Sequence, residues 1–258
     1  MSLSVIVITK NEERNIAACL ESVRWADELV VVDACSEDRT TELARAGGAT
    51  VFVRKWPGFG PQKNFGMEQA RSEWLLILDA DERVSASLRD EIIQCIDRWT
   101  LDAPSAYRMP RCNYFYGAWV RWGGVFPDYQ IRLLRKGRAR YNDAAVHENL
   151  VVEGNVGTLS TPLDHFTERR VKDHFKKFGL YTSLAAQEKG RIRVHVRPSD
   201  LLIRPLVVFV KTYLFKQGFR DGVRGLIVCA FASMYTFVKY AKLWDLTRQG
   251  IAPLNTSS

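Results

Sequence analysis

The run Trp74-Leu75-Leu76-Ile77-Leu78 followed by Asp79-Ala80-Asp81-Glu82 constrains this chain more than any other stretch. Five consecutive apolar residues suit a strand covered on both faces, the kind found in parallel sheets. Three carboxylates within four positions at its end are costly to crowd or bury without compensating cations. Asp79 and Asp81 stand at i and i+2 just past the strand, where a loop could aim both at one hard cation. A solvated acidic loop is the alternative, and the rest of the chain decides between the two.

Three further strands of similar kind come earlier. Ser4-Val5-Ile6-Val7-Ile8-Thr9 runs into the polar Lys10-Asn11-Glu12-Glu13, and Glu28-Leu29-Val30-Val31-Val32 is closed by Asp33. Thr50-Val51-Phe52-Val53 ends in Arg54-Lys55. Helices are expected between them: one carrying Ile16, Leu20 and Val23 on one face, and one over 38–46 stopped by Gly47-Gly48. A third has Pro61 in its first turn, carries Gln62-Lys63-Asn64 and ends near Ser72. After the acidic stretch, Ser87 can cap a helix bearing Leu88, Ile92, Ile96 and Trp99. This alternation predicts an α/β fold, a mostly parallel twisted sheet with helices on both faces. Ligands bind beyond the carboxyl ends of such strands. All four polar clusters lie there, so an active-site crevice is the better reading of the carboxylates.

From about residue 105 the pattern changes to strands around 106–109 and 130–134, separated by an aromatic loop. That loop holds Tyr114, Tyr116, Trp119, Trp122 and Phe126, which suit either a satellite core or a platform for sugar rings. Asp143, His147 and Glu148 follow, and then His165. Residues 167–190 read as helical, with apolar segments around 201–215 and 225–238 after them. Neither segment reaches the roughly 20 uninterrupted apolar residues of a spanning helix.

Charge is unevenly distributed along the chain. The net charge is +8, yet residues 167–250 hold 17 Lys/Arg against 6 Asp/Glu. A near-neutral front with a basic, aromatic tail predicts two parts, 1–165 catalytic and 166–258 a basic amphipathic helical region. The tail resembles an interfacial anchor for an anionic membrane surface, with packing on the sheet or another subunit as the alternative. No nucleic-acid-binding module appears, so nucleic acid is not an expected partner. Five scattered cysteines without a CxxC pair suit reduced thiols in a cytoplasmic protein, and no secretory signal is apparent at the N-terminus.

Taken together, Ser4 through Glu12, Val31-Val32-Asp33 with Ser36, Asp38 and Thr40, and Leu78-Asp79-Ala80-Asp81-Glu82 resemble the family 2 inverting glycosyltransferases of GT-A fold. Gln62-Lys63-Asn64-Phe65-Gly66, Gln130-x-Arg132-Leu133 and Val146-His147-Glu148 narrow the resemblance, which covers roughly residues 3–150. With the C-terminal helices, the whole is similar to bacterial lipopolysaccharide core glucosyltransferases. The resemblance implies that Thr9, Asn11, Glu12 and Asp33 hold the nucleoside, with Asp33 near the uracil or ribose. It implies that Asp79 contacts ribose or metal, and that Asp81 is the principal ligand of a divalent cation (Mg²⁺ or Mn²⁺) on the donor diphosphate. Lys63 and Arg132 become candidate phosphate contacts, with solvated surface charge as the alternative.

Inverting transfer needs a base for the acceptor hydroxyl. Many family members use an aspartate in a Glu-Asp pair; this sequence lacks that pair in the expected region and offers His147-Glu148 instead. Glu148 is the expected base, with Asp143 and Asp128 as rivals, and His147 either orients it, contacts the metal or is structural.

The expected function is sugar transfer, with glucose as the expected sugar, from a UDP-sugar to a lipid-anchored glycan, the lipopolysaccharide inner-core heptose. It would be carried out by a cytoplasmic enzyme peripheral to the inner face of the bacterial membrane, and a homo-oligomer is an open possibility. Competing expectations are a polyprenyl-linked or exopolysaccharide acceptor, or a non-catalytic membrane scaffold. A nucleotidyltransferase or dehydrogenase would carry a glycine-rich loop after the first strand, and Thr9-Lys10-Asn11-Glu12 has no glycine.

Overall fold

The computed structural model describes residues 1–142, 150–167, 169–190 and 195–248. Its strands are β1 (Leu3–Thr9), β2 (Glu28–Asp33), β3 (Thr50–Val53), β4 (Trp74–Asp79), β5 (Glu82–Arg83), β6 (Ala106–Phe115) and β7 (Ala118–Trp119). They continue with β8 (Asp128–Arg135), β9 (Ala139–Tyr141), β10 (Leu150–Val152), β11 (Val156–Thr158) and β12 (Leu163–His165). The helices are α1 (Ile16–Ser22), α2 (Thr40–Ala46), α3 (Phe59–Gln69), α4 (Ala86–Asp97), α5 (Val171–Gly190), α6 (Pro198–Val210) and α7 (Gly222–Arg248). The chain forms two compact units. One is Met1–Cys112 with Asp128–His165; the other is Asn113–Pro127 with Phe166–Ser258.

In the first unit the sheet order is β3-β2-β1-β4-β8-β6-β12-β5. The pairs β1–β2, β1–β4 and β2–β3 are parallel, while β8 runs antiparallel to both β4 and β6. Strand residues alternate between faces, and both faces are covered. Val5, Val7, Trp74, Leu76 and Leu78 meet Ile16 and Leu20 of α1 and Leu88 and Ile92 of α4. Ile6, Ile8, Leu75 and Ile77 meet Met67 of α3 on the other side. That double cover is why β1 and β4 read as unbroken apolar runs. Each such side chain contributes about 1.5–3 kcal/mol on burial. Helix α3 lies close against the sheet, and a Cβ on Gly66 would collide with the side chains of Ile6 and Val32.

Helix α4 is capped two residues earlier than the sequence suggests. The Ser85 hydroxyl accepts the Leu88 N–H at 3.2 Å, so Ser87 lies inside the first turn.

The second unit is helical. Helix α7 packs on α5 and α6, with Ala186, Tyr240 and Leu243 as its small apolar core. The Lys242 ammonium ties α7 to α5 through the Gly179 carbonyl and the Thr182 and Ser183 hydroxyls, all within 2.8 Å. His174 stacks on Phe231 at 3.8 Å, and its Nδ1 shares a hydrogen bond with the Tyr116 hydroxyl at 2.6 Å. The aromatic loop packs within this unit. Trp119 meets Phe126 edge-on, Tyr114 stacks on Phe166, and Arg220 lies over Trp122. The second apolar segment extends further than its sequence run. Among the described residues, the helical stretch Gly218–Arg248 alone is long and apolar enough to cross a membrane, by length and composition.

Candidate active site

The strand order places a topological switch at β1, since β2 and β3 lie to one side and β4 to the other. Parallel register brings the strand ends level: Thr9 pairs with Asp33, Asp33 with Val53, and Ile8 with Asp79. Everything the loops carry is therefore delivered to one edge.

The Asp33 carboxylate is fully buried and accepts three hydrogen bonds. They come from the Thr9 hydroxyl (2.8 Å), the Ser36 N–H (2.7 Å) and the Ser36 hydroxyl (2.6 Å). The loop after β1 is then sewn to the loop after β2. The Ser36 hydroxyl accepts the Asn11 N–H at 2.7 Å, and the Asn11 amide oxygen accepts the Glu37 N–H at 2.9 Å. The Thr40 hydroxyl accepts the Glu12 N–H at 2.8 Å, and Glu12 in turn accepts the Asn15 amide at 2.7 Å. Asn11 and Cys35 hold φ near +55°, a region that asparagine tolerates better than most residues. Thr9, Asn11, Glu12 and Asp33 thus come together as one braced wall. In it Thr9 and Asp33 are interior, and Asn11 is exposed.

Beside that wall lies a chain of alternating charges. Arg132 Nη2 donates to Asp79 Oδ2 and to Glu82 Oε1, each at 2.6 Å. Lys63 Nζ lies 3.8 Å from Asp79 Oδ1, and Arg111 donates to Glu82 (3.2 Å) and to Asp128 (2.6 Å). Lys63 and Arg132 are buried, so neither is a solvated surface charge. Burial alone would raise the Asp79 carboxyl; Arg132 and then Lys63 outweigh it and hold that carboxyl well below the usual carboxylate range. Burial likewise opposes charge on Arg132, and Asp79 and Glu82 overcome it. Three cations and three carboxylates make this network neutral overall. The Arg132 Nε–H is buried without a hydrogen-bond partner.

Asp81 faces a different partner. Its Oδ2 lies 3.5 Å from His165 Nε2, and the two side chains are 15% and 17% exposed. His165 reaches Asp81 because β12 pairs antiparallel with β5, His165 opposite Glu82. The carboxylate oxygen suits a hard divalent cation such as Mg²⁺ or Mn²⁺, and the imidazole nitrogen is a common ligand of first-row metals such as Zn²⁺ or Fe²⁺. Among the described residues no three His, Cys, Asp or Glu side chains converge on one point. A cation held by Asp81 and His165 would therefore need substrate oxygens to complete its shell. Beneath Asp79, burial pushes the Cys19 thiol up to about 12, which keeps it protonated and inert.

Of the three expected base residues, Asp128 is bound by Arg111 and by the Gln130 amide at 2.9 Å. Glu148 and Asp143 lie outside the described residues, as does His147. Sequence reasoning missed His165, Arg111 and the central place of Glu82. Residues 128, 130 and 132 alternate onto one face of β8, a usable signal. The pairing of Arg111 with Asp128 across strands has no local one.

The sequence profile of glycosyl transferase family 2 matches residues 4–121. The lipopolysaccharide core biosynthesis glycosyltransferase LpsC of Rhizobium meliloti is 31% identical over 252 residues, covering 95% of this chain and 93% of that protein. An uncharacterized glycosyltransferase of Rickettsia bellii is 28% identical over 261 residues, covering 96% of this chain and 87% of its own length. Among solved structures, residues 1–349 of S. aureus TarS align over 97% of this chain and 92% of that one, at 15% identity and a TM-score of 0.45.

Proposed function

The chain belongs to glycosyl transferase family 2, and from that premise we propose that it is a metal-dependent inverting hexosyltransferase. Its donor is a UDP-sugar, with glucose as the sugar, and its acceptor a lipid-anchored glycan, the inner-core heptose of lipopolysaccharide. The observation that carries this reading is the division of labour between Asp79 and Asp81. Asp79 is neutralised by Arg132 and Lys63, while Asp81 stands with His165 at the same strand end. A diphosphate entering a neutral network that ends in a further carboxylate needs a cation beside that carboxylate. Asp81 and His165 would hold it, and when bound it would polarise the donor diphosphate and take up charge on the departing UDP.

The chain's own residues do the rest. Arg132, anchored by two carboxylates, and Lys63, 3.8 Å from Asp79, supply the positive charge beside the diphosphate. The wall formed by Thr9, Asn11, Glu12 and Asp33 shapes the nucleoside site, with Asp33 bracing the loop from inside and exposed Asn11 touching the ligand. Glu148 takes the proton of the acceptor hydroxyl. Asp128 is less suited, since Arg111 and Gln130 engage both its oxygens. The acceptor class rests on the similarity to LpsC. Peripheral attachment to the cytoplasmic face of the membrane rests on the exposed apolar and basic helices of the second unit.

The test is release of UDP by purified protein across a panel of nucleotide sugars, with heptose-terminated core lipopolysaccharide or a polyprenyl-linked sugar as acceptor. Turnover is expected with UDP-glucose and the core acceptor, abolished by chelator and restored by Mn²⁺. Asp81→Ala should lower kcat by roughly 10²–10³-fold, the usual effect of removing one electrostatic stabiliser. Turnover only with the polyprenyl acceptor would replace the acceptor assignment, and full activity of Asp81→Ala would remove Asp81 from the site.

A further inference from the structure

A second concave site lies wholly within the helical unit, where α5 and α7 begin. It is a shallow, open concavity of about 500 Å³, lined by Arg169, Arg170 and Arg224 on its polar side. Tyr116, Val171, Val223 and Ile227 complete the wall. Arg224 Nε donates to the Tyr116 carbonyl oxygen at 3.3 Å, which orients that guanidinium at the pocket edge, and Arg170 Nε reaches Asp173 at 3.2 Å. Three guanidinium groups around one opening favour a polyanionic oxygen cluster. Arginine forks match phosphate geometry better than lysine does.

The apolar wall supplies the other half of the ligand's chemistry. Val223 is 72% exposed and begins a stripe that continues through Leu226, Ile227, Ala230, Met234, Phe237 and Trp244. Steps of three and four keep these residues on one face of the helix. The stripe is about 30 Å long at 1.5 Å per residue. Gly225, Cys229, Tyr240 and Leu243 are buried on the packed side of α7. An anion pocket opening at one end of a solvent-facing apolar stripe has the two-part character of a phospholipid.

We propose that this pocket binds the phosphate headgroup of a membrane lipid, with the lipid's acyl region lying along the exposed stripe of α7. This sharpens the peripheral attachment proposed above and rests on it. The transferase reading is tested separately, by UDP release from the wild-type protein without vesicles.

The experiment is co-sedimentation of the full chain with vesicles of pure phosphatidylcholine, or with phosphatidic acid added, at physiological salt. At that ionic strength diffuse surface charge is screened beyond about 8 Å. Wild-type protein should bind the phosphatidic acid vesicles at least tenfold more tightly. The combination Arg169→Gln, Arg170→Gln and Arg224→Gln should lose at least tenfold. The charge-matched combination Lys211→Gln, Lys216→Gln and Arg220→Gln, at exposed positions of the same unit, should stay within threefold. Equal losses from both triples would reduce the pocket to general basic charge and overturn the proposal. Val223→Asp, at a position too exposed to threaten folding, should weaken vesicle binding several-fold; unchanged binding would contradict the role of the stripe. Millimolar inorganic phosphate that bound the pocket as tightly as vesicles would overturn the lipid assignment.

Discussion

The two units handle the same kinds of residue in opposite ways. In the first, Leu76 and Leu78 are fully buried, and Lys63, Arg132 and Glu82 are buried with them as partners in one ion network. In the second, Leu206 is 62% and Phe215 79% exposed, and cations rest on aromatic faces, such as Arg220 over Trp122 and Arg248 over Trp244. A twisted sheet covered on both sides can internalise charge, because strand register fixes which groups meet. Three packed helices with a small core leave whole apolar faces outside, and patches of that size on a protein surface mark a partner. Order in one unit braces the candidate site; the other leaves apolar side chains exposed.

Cutting the ion network should cost the first unit the most stability. Glu82→Gln leaves two buried or half-buried arginines under-compensated, a loss of about 3–5 kcal/mol. That corresponds to a melting midpoint lower by roughly 6–20 °C. A drop of under 2 °C would mean that the buried charges are not mutually dependent. Equivalent truncations in the two units sharpen the point. Leu76→Ala should cost about 2–5 kcal/mol by denaturant titration, whereas Leu206→Ala should fall within about 0.5 kcal/mol. Similar losses at both positions would show that Leu206 is covered.

The smallest expected effect is a pH dependence. Asp79 has a folded pKa below its unfolded value, so its contribution is present above the unfolded pKa and fades as pH falls through the folded one. Stability should therefore decline on acidification below about pH 4, the ordinary aspartate range. Asp79→Asn should flatten that decline, and an unchanged acid limb would mean that Arg132 and Lys63 do not hold the carboxylate.

Much of the first unit is legible in the sequence, because its signals are local. Unbroken apolar runs at Val5–Ile8 and Leu75–Leu78, each ending in polar residues, specify doubly covered strands and the edge where ligands gather. The GT-A character follows from those same ends. The pairing of charges is not legible. Arg132 meets Asp79 only because β8 returns antiparallel beside β4, with Leu133 opposite Leu76, and His165 meets Asp81 only through β12 and β5. Both depend on contacts more than 50 residues apart in the chain, which no motif encodes. The reach of α7 is under-read for another reason. Lys239 and Lys242 interrupt its hydropathy, yet Lys242 turns inward to α5, and the helix continues to Arg248.

Asp81, with His165, is proposed above as the holder of the cation that accompanies a UDP-sugar in the crevice. Titration calorimetry of UDP binding with and without Mn²⁺ tests that role directly, on wild-type protein and on Asp81→Asn. Wild-type protein should bind UDP at least tenfold more tightly with Mn²⁺, and Asp81→Asn should lose that enhancement while keeping the wild-type melting midpoint. An undiminished Mn²⁺ enhancement in Asp81→Asn, or none in the wild type, would contradict it.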